Sequence, residues 1–366
     1  MMRYNAAMIK PIKTYSLEEL QQLMKELDQP VFRAKQLYEW LYLHNASSYD
    51  EMTNLPRTLR EQLSIDYPLF ISNVVDSQTS QDGTAKYVIS YHDGARVETV
   101  AIPSSDGRLT VCCSTQAGCT MGCAFCATGK EGFTRNLSAG EIVEQVLIVQ
   151  TRMGKRVSNV VAMGQGEPFL NYEQTLSALR ILNDARLLNI GARHITLSTC
   201  GILSGIDRLG TEPEQFTLAV SLHAAIQRTR DKIMPGVANY ELGKLKTALL
   251  KYIERTNRRI TLEYAMMNSV NDNENDLKAL IEFCEGLLCH VNLIPLNEIE
   301  ESEFSPSKIQ TMNHWYLSLN KSGIETTIRH SRGSDIAGAC GQLKNAVKHL
   351  GNVQFFAHFD SRIASR

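Results

Sequence analysis

From Val157 to Arg329 the sequence alternates short strand-like runs with amphipathic stretches of helix length, and this alternation constrains the fold more than any other feature. The runs are Val157 to Met163, His194 to Thr199, Phe216 to Leu222, Arg259 to Tyr264, Cys289 to Ile294 and Thr326 to Arg329. Repeated βα units imply a parallel sheet with right-handed crossovers, and about six of them suit a partial (β/α)6 barrel better than an open doubly wound sheet. The fold class is α/β. Between Ile71 and Ser114 the apolar period changes to two, and Asp82-Gly83, Asp93-Gly94 and Asp106-Gly107 punctuate it as hairpin turns do, so this part is expected to be an antiparallel β extension. The first 70 or so residues read as helical. Ser16 and Glu19 form a capping box with Tyr15 and Leu20 as its staple, a second helix follows Pro30, and Pro56 precedes a third. The expected division is a helical domain over 1–75, the β extension over 76–108, the barrel over 109–345 and a tail over 346–366.

The composition allows a large core: 366 residues, 43% hydrophobic, 21% charged and 7% aromatic, which excludes a disordered, collagen-like or disulfide-stapled chain. No apolar run approaches the ~18 residues of a membrane span. The N-terminus lacks a signal-peptide pattern, which gives an expectation of a cytoplasmic, reducing environment with no membrane partner. A net charge of −1 neither announces nor forbids a nucleic-acid partner, so any basic patch has to be local. Nine cysteines in a reducing compartment point to metal binding or thiol chemistry.

The strongest local signal is Cys119-Thr120-Met121-Gly122-Cys123-Ala124-Phe125-Cys126, directly after a strand and ahead of the helix capped by Ser138 and Glu141. Three thiolates so close together suit a metal site. A structural zinc would need a fourth ligand, such as Cys112, Cys113 or a His, whereas a cubane iron–sulfur cluster held by three cysteines keeps one iron open to a small molecule.

At the C-terminal end of the first barrel strand, this run resembles the radical S-adenosylmethionine superfamily. The resemblance implies a 4Fe-4S cluster on Cys119, Cys123 and Cys126. It further implies S-adenosylmethionine bound to the open iron and cleaved reductively to a 5'-deoxyadenosyl radical. Met163-Gly164-Gln165-Gly166-Glu167-Pro168 ends the next strand and looks like the superfamily's amine-binding turn. Taken alone, the polar residues at later strand ends read equally as turns or helix caps. With the resemblance, Gly166, Glu167, Ser198, Ser221, Leu222, His223 and Asn297 are assigned to the S-adenosylmethionine pocket.

Cys340 lies among small residues in Ser334-Asp335-Ile336-Ala337-Gly338-Ala339-Cys340-Gly341-Gln342-Leu343, and Cys112 ends the strand that leads to the triplet. Each alone reads equally as a buried small hydrophobe or a catalytic thiol. Together with Val97-Glu98-Thr99-Val100 and the helical Ala34 to Leu41 and Glu51 to Pro56, they narrow the resemblance to the RlmN/Cfr methyltransferases over essentially the full chain. Gly166-Glu167-Pro168 and the intact helical N-terminus are similar to the branch that methylates adenine C2. The branch that methylates C8 usually has Gly-Glu-Ala. C2 is an electron-poor amidine carbon and cannot take a methyl from a sulfonium by nucleophilic attack, so a radical route is required.

The resemblance implies that Cys340 carries the methyl, that Cys112 resolves an RNA adduct through a transient disulfide, and that Glu98 is the base. It implies as partners 23S rRNA near the exit tunnel, tRNA beside the anticodon and an external, flavodoxin-like electron donor, with the helical domain over 1–75 serving RNA binding; the enzyme is expected to be a monomer. Gln165 stands where Met is expected, and Ala337-Gly338 where Asp-Ala is usual. Cys113 adds a second thiol beside Cys112, although strand alternation points the two in opposite directions. Cys200, Cys284 and Cys289 have no partner spacing and read as core. The rivals are C8 methylation and a non-catalytic iron–sulfur RNA-binding protein, which would not need Cys340, Cys112 or Glu98.

Overall fold

The structure, a computed structural model, describes residues 11–69, 72–300 and 302–345. The expected tail and the residues read for a leader peptide lie outside them. Three helices come first: α1 (Leu17–Glu26), α2 (Phe32–Tyr42) and α3 (Arg57–Asp66). The Ser16 hydroxyl accepts from the Glu19 N–H at 3.1 Å and the Glu19 carboxylate accepts from the Ser16 N–H at 2.7 Å, so the capping box is closed. Four strands then run as an antiparallel meander: β1 (Ser72–Thr79), β2 (Ala85–Tyr91), β3 (Arg96–Pro103) and β4 (Leu109–Cys112). Gly83, Gly94 and Gly107 at its turns have φ of 83°, 84° and 88°, the left-handed region that glycine enters without steric cost.

A small hairpin of β5 (Gln116–Gly118) and β6 (Phe133–Asn136), with the short α4 (Ala127–Glu131) between, interrupts the chain before α5 (Ala139–Met153). The alternation follows: β7 (Asn159–Ala162), α6 (Tyr172–Asn183), β8 (Ile195–Thr199), α7 (Leu203–Leu209), β9 (Thr217–Ser221), α8 (Gln227–Ile233), α9 (Leu242–Thr256), β10 (Ile260–Met266), α10 (Glu274–Cys284), β11 (Cys289–Pro295), α11 (Ile309–Lys321) and β12 (Thr326–Ile328). The main sheet is ordered β1-β2-β3-β4-β7-β8-β9-β10-β11-β12. Strand β4 pairs antiparallel with β3 and parallel with β7. It therefore belongs to both parts, and the extension expected as a separate unit is continuous with the barrel sheet. The parallel part holds seven strands joined by six helical crossovers, in agreement with the partial α/β barrel.

The sheet curls. The chain leaving β12 at one edge reaches back to the antiparallel part, where the Gly333 N–H donates to Asp82 Oδ2 at 3.1 Å and the Lys344 N–H donates to Glu98 Oε2 at 2.8 Å.

The N-terminal helices dock on α5. Lys13, 1% exposed, pairs with Glu144 of α5 at 2.7 Å, and its carbonyl accepts from the Tyr42 hydroxyl at 3.0 Å. Gly140 permits this approach, since a Cβ there would fall 1.6 Å from the Lys13 carbonyl oxygen. Gly→Ala inside a helix ordinarily stabilises by about 1 kcal/mol. Gly140→Ala is expected to destabilise instead, by about 1–3 kcal/mol, because backbone has to move. Gly243→Ala in α9, where a Cβ meets nothing within 4 Å, is the control, and urea unfolding of both variants measures the difference in sign.

Candidate active site

The C-terminal strand ends open into two adjoining chambers. The first, of about 1000 Å³, is lined by Cys119, Cys123, Cys126, Gly166, Glu167, Ser198, Ser221, His223, Glu263, Asn297, Arg329 and Cys340 among others. The second, of about 880 Å³, is lined by Cys112, Arg329, His330, Arg332, Cys340 and Leu343 among others. Asn297, Arg329 and Cys340 line both and mark the seam.

The cysteine loop is built by close backbone approaches. Gly118, at φ 78°, lies where a Cβ would be 2.1 Å from the Gly132 carbonyl oxygen, and the Cys119 N–H donates to that same oxygen at 2.7 Å. Gly236 touches Met121 and Gly129 touches the Cys123 backbone so closely that any side chain would displace the loop. All three thiols consequently face the first chamber. Among the described residues, no three His, Cys, Asp or Glu side chains stand together as ligands of one ion. Three cysteines that line one chamber without a fourth protein ligand fit a cubane cluster, which keeps one iron open. Burial pushes the Cys119 and Cys126 thiols up, to about 12 and about 11, so thiolates here would need a bound cation beside them.

Of the seven residues assigned to the S-adenosylmethionine pocket, six line the first chamber. Gly166, at φ 101°, packs where a Cβ would lie 2.6 Å from the Gln116 side chain. Glu167 is buried, its carboxylate accepting from the Cys200 N–H at 2.7 Å and the Phe169 N–H at 3.0 Å. It thus joins the ends of β7 and β8 as well as facing the chamber. Ser198 and Ser221 are neighbours on β8 and β9, 3.5 Å apart. Leu222 does not line the chamber. Its side chain is fully buried, because the residue after Ser221 points to the other side, and its carbonyl accepts from Arg230 at 2.8 Å.

His223, at φ 51°, accepts the Ala265 N–H on Nδ1 at 2.9 Å, so the neutral ring carries its proton on Nε2. Burial and then the Arg230 charge depress its pKa to about 3. The unfolded chain, at about 6.5, binds this proton first, so stability should fall as pH drops from about 6.5 toward 3. His223→Asn keeps an acceptor and tolerates positive φ. Unfolding free energies from urea titrations at pH 7 and pH 5 should differ by about 2 kcal/mol less in this variant than in the parent.

Cys112 and Cys113 diverge as alternation requires. Cys112 packs with Val100 and Leu343 and lines the second chamber, whereas Cys113 is 0% exposed in the main core with its thiol toward the Val161 carbonyl. Cys340 is exposed, its carbonyl held by the Asn297 amide at 3.0 Å. Burial, then proximity to Cys340 and Cys113, raises the Cys112 thiol, while Arg329 opposes this.

Glu98, read as a base, lines neither chamber. It is 0% exposed, 2.9 Å from Lys86, with its other oxygen on the Lys344 N–H. Cys200 is not core: it lines the first chamber and its thiol lies at hydrogen-bonding range of Cys123. Cys284 and Cys289 touch each other away from the mouth. Sequence reasoning also missed Arg329, Glu263 and Arg230. Arg230 is 1% exposed and ties the Cys200 and Leu222 carbonyls together at 2.5 and 2.8 Å. Only the fold brings Arg329 and Glu263 to the mouth and sets Arg230 beneath it.

Residues 113–284 match the model of the Radical SAM superfamily, and residues 12–66 match that of the ribosomal RNA large subunit methyltransferase N-terminal domain. The chain is 44% identical over 337 residues to a protein of Clostridium novyi (strain NT) named as a probable dual-specificity RNA methyltransferase RlmN, covering 92% of this chain and 98% of that one. A protein of the same name from Clostridioides difficile (strain 630) is 43% identical over 344 residues, covering 92% and 98%. A crystal structure of a radical SAM methyltransferase from Sphaerobacter thermophilus superposes with a TM-score of 0.87 at 42% identity, covering 92% of this chain and all of that one. The chain belongs to the RlmN family of RNA methyltransferases, enzymes that work with a 4Fe-4S cluster and S-adenosylmethionine.

Proposed function

We propose that this chain methylates carbon 2 of adenine, in 23S rRNA near the exit tunnel and in tRNA beside the anticodon, through a methyl group carried on Cys340. The observation that carries the reading is the seam: Cys340 lines both the chamber of the cysteine triplet and the chamber of Cys112. A thiol so placed can receive a methyl on one side and present it to a base on the other. When bound, S-adenosylmethionine and the cluster supply the methyl group and the means of activating it toward an electron-poor carbon.

The remaining tasks fall to the protein. Cys119, Cys123 and Cys126 hold the cluster. Gly166, Glu167, Ser198, Ser221, His223 and Asn297 shape the S-adenosylmethionine chamber, and a neutral His223 can offer its Nε2 proton there. Arg329 and Arg332 line the second chamber, where their positive charges favour a nucleic acid. Entry of a single adenine requires that it leave its stack. C2 gives up its proton to a base for which Glu98 is the candidate. Cys112 then attacks the Cys340 sulfur, and an S–S bond forms as the S–C bond to the methylene on the base breaks. That carbon takes the proton of the Cys112 thiol to complete the methyl group, and an external reductant returns the disulfide to two thiols. An external, flavodoxin-type electron donor and a monomeric, cytoplasmic enzyme complete the reading. Among the described residues no helix is long and apolar enough to cross a membrane.

The test is expression in a host lacking its own enzyme, followed by mass spectrometry of digested rRNA and tRNA. Restored 2-methyladenine in both is the expected result. 8-Methyladenine as the main product overturns the choice of carbon, and an unmodified pool overturns methylation of these RNAs.

A further inference from the structure

Lys86 and Glu98 sit on neighbouring strands, 2% and 0% exposed at their side chains, with Nζ and Oε1 2.9 Å apart. An ion pair so deep is costly to desolvate, and its remaining hydrogen bonds decide what it does. Both lead to one segment. Lys86 Nζ donates to the Ala337 carbonyl at 3.2 Å, and Glu98 Oε2 accepts from the Lys344 N–H at 2.8 Å. Cys340 lies between these two anchors.

The Lys344 side chain also pairs with Glu300 at 3.0 Å, but Glu300 is exposed and such a surface pair adds little. Between the two anchors the contacts are neutral, the Gly341 carbonyl accepting from the Ala127 N–H at 2.7 Å, the Leu343 carbonyl from the Thr128 hydroxyl at 2.6 Å and the Cys340 carbonyl from the Asn297 amide at 3.0 Å. Ala337 itself is left-handed, at φ 52°, a conformation that costs an L-residue about 1 kcal/mol and persists only where neighbours hold it. Leu343 packs on Val100 and Cys112 at the second chamber, while the Glu98 carboxylate points away from it toward Lys86 and the Lys344 backbone.

We propose that Lys86 is a positioning residue: with Glu98 it latches both ends of the Cys340 loop, and release of the Lys344 end is what frees the Glu98 carboxylate toward the second chamber. Charge-assisted hydrogen bonds at both ends make the latch stronger than the neutral contacts between them. The catalytic meaning of the latch rests on Cys340 as methyl carrier; its mechanical part does not.

Hydrogen exchange of the full-length protein, read by mass spectrometry, tests it. Lys86→Met is expected to speed exchange in peptides covering 337–344 about tenfold, leaving the 119–126 loop unchanged, and Lys86→Arg is expected to restore protection. Because Lys86→Met strands a buried carboxylate and could unfold the chain, Lys86→Met/Glu98→Gln carries the same test with a neutral pair, and the Ala337 end should still loosen. In turnover, Lys86→Met is expected to lower kcat with KM for RNA held, and Lys86→Arg to recover it. Unchanged exchange over 337–344 in a folded Lys86→Met or double variant overturns the latch. Loosened exchange in an enzyme whose Cys340 never gains a methyl group keeps the latch and rejects the functional reading on which its catalytic meaning rests.

Discussion

Cys112→Ala protein is expected to carry RNA covalently attached through Cys340, whereas Cys340→Ala protein carries none. The two replacements remove different steps of the proposed route. Without Cys340 no free thiol remains at the seam to hold the methyl, because Cys126, which also lines both chambers, is assigned to the cluster, so no bond between protein and base can form. Without Cys112 the bond forms, but no thiol reaches the Cys340 sulfur to displace the base. Cys113 cannot substitute, because its thiol faces the Val161 carbonyl on the other side of the strand. The reaction should stop after one turnover, with at most one RNA per protein, and multiple-turnover activity should fall by ~10³ or more. Denaturing gels with nuclease treatment read the adduct. A Cys112→Ala enzyme that turns over normally rejects the disulfide step.

The second large effect concerns the triplet. Replacing any one of Cys119, Cys123 or Cys126 by Ala is expected to abolish iron binding after anaerobic reconstitution and to remove methyl transfer, a loss of at least ~10³-fold. The fold should survive, since the loop is seated by backbone contacts at Gly118, Gly129 and Gly236 rather than by the thiols. Iron analysis and far-UV circular dichroism on the same samples separate loss of cluster from loss of fold. Stoichiometric zinc with no iron in the parent protein contradicts the assignment.

The parallel strands were legible because strands buried on both faces read as continuous apolar runs, and the three Asp-Gly turns marked the meander. The hairpin β5–β6 was not legible: strands of three and four residues carry no usable period, and α4 is five residues with a glycine inside. Cys119, Cys123, Cys126 and Cys340 were visible as local motifs. The burial of the Leu222 side chain was not legible, because a contiguous Ser-Leu-His run hides the alternation that turns its middle residue inward. Cys200 and Arg329 gave no signal, since they reach the mouth only when β8 and β12 take their places in the sheet. The Lys86–Glu98 pair was invisible as a latch, because the loop it ties lies about 250 residues further along the chain.

The central claim is that Cys340 carries the methyl group. The most direct measurement is peptide mass spectrometry of the reconstituted protein after incubation with S-adenosylmethionine and a reductant, in the absence of RNA. The account predicts one added methyl on the peptide containing Cys340, and none on those containing Cys112 or Cys113. Methylated RNA produced by a protein whose Cys340 remains unmodified throughout would contradict it.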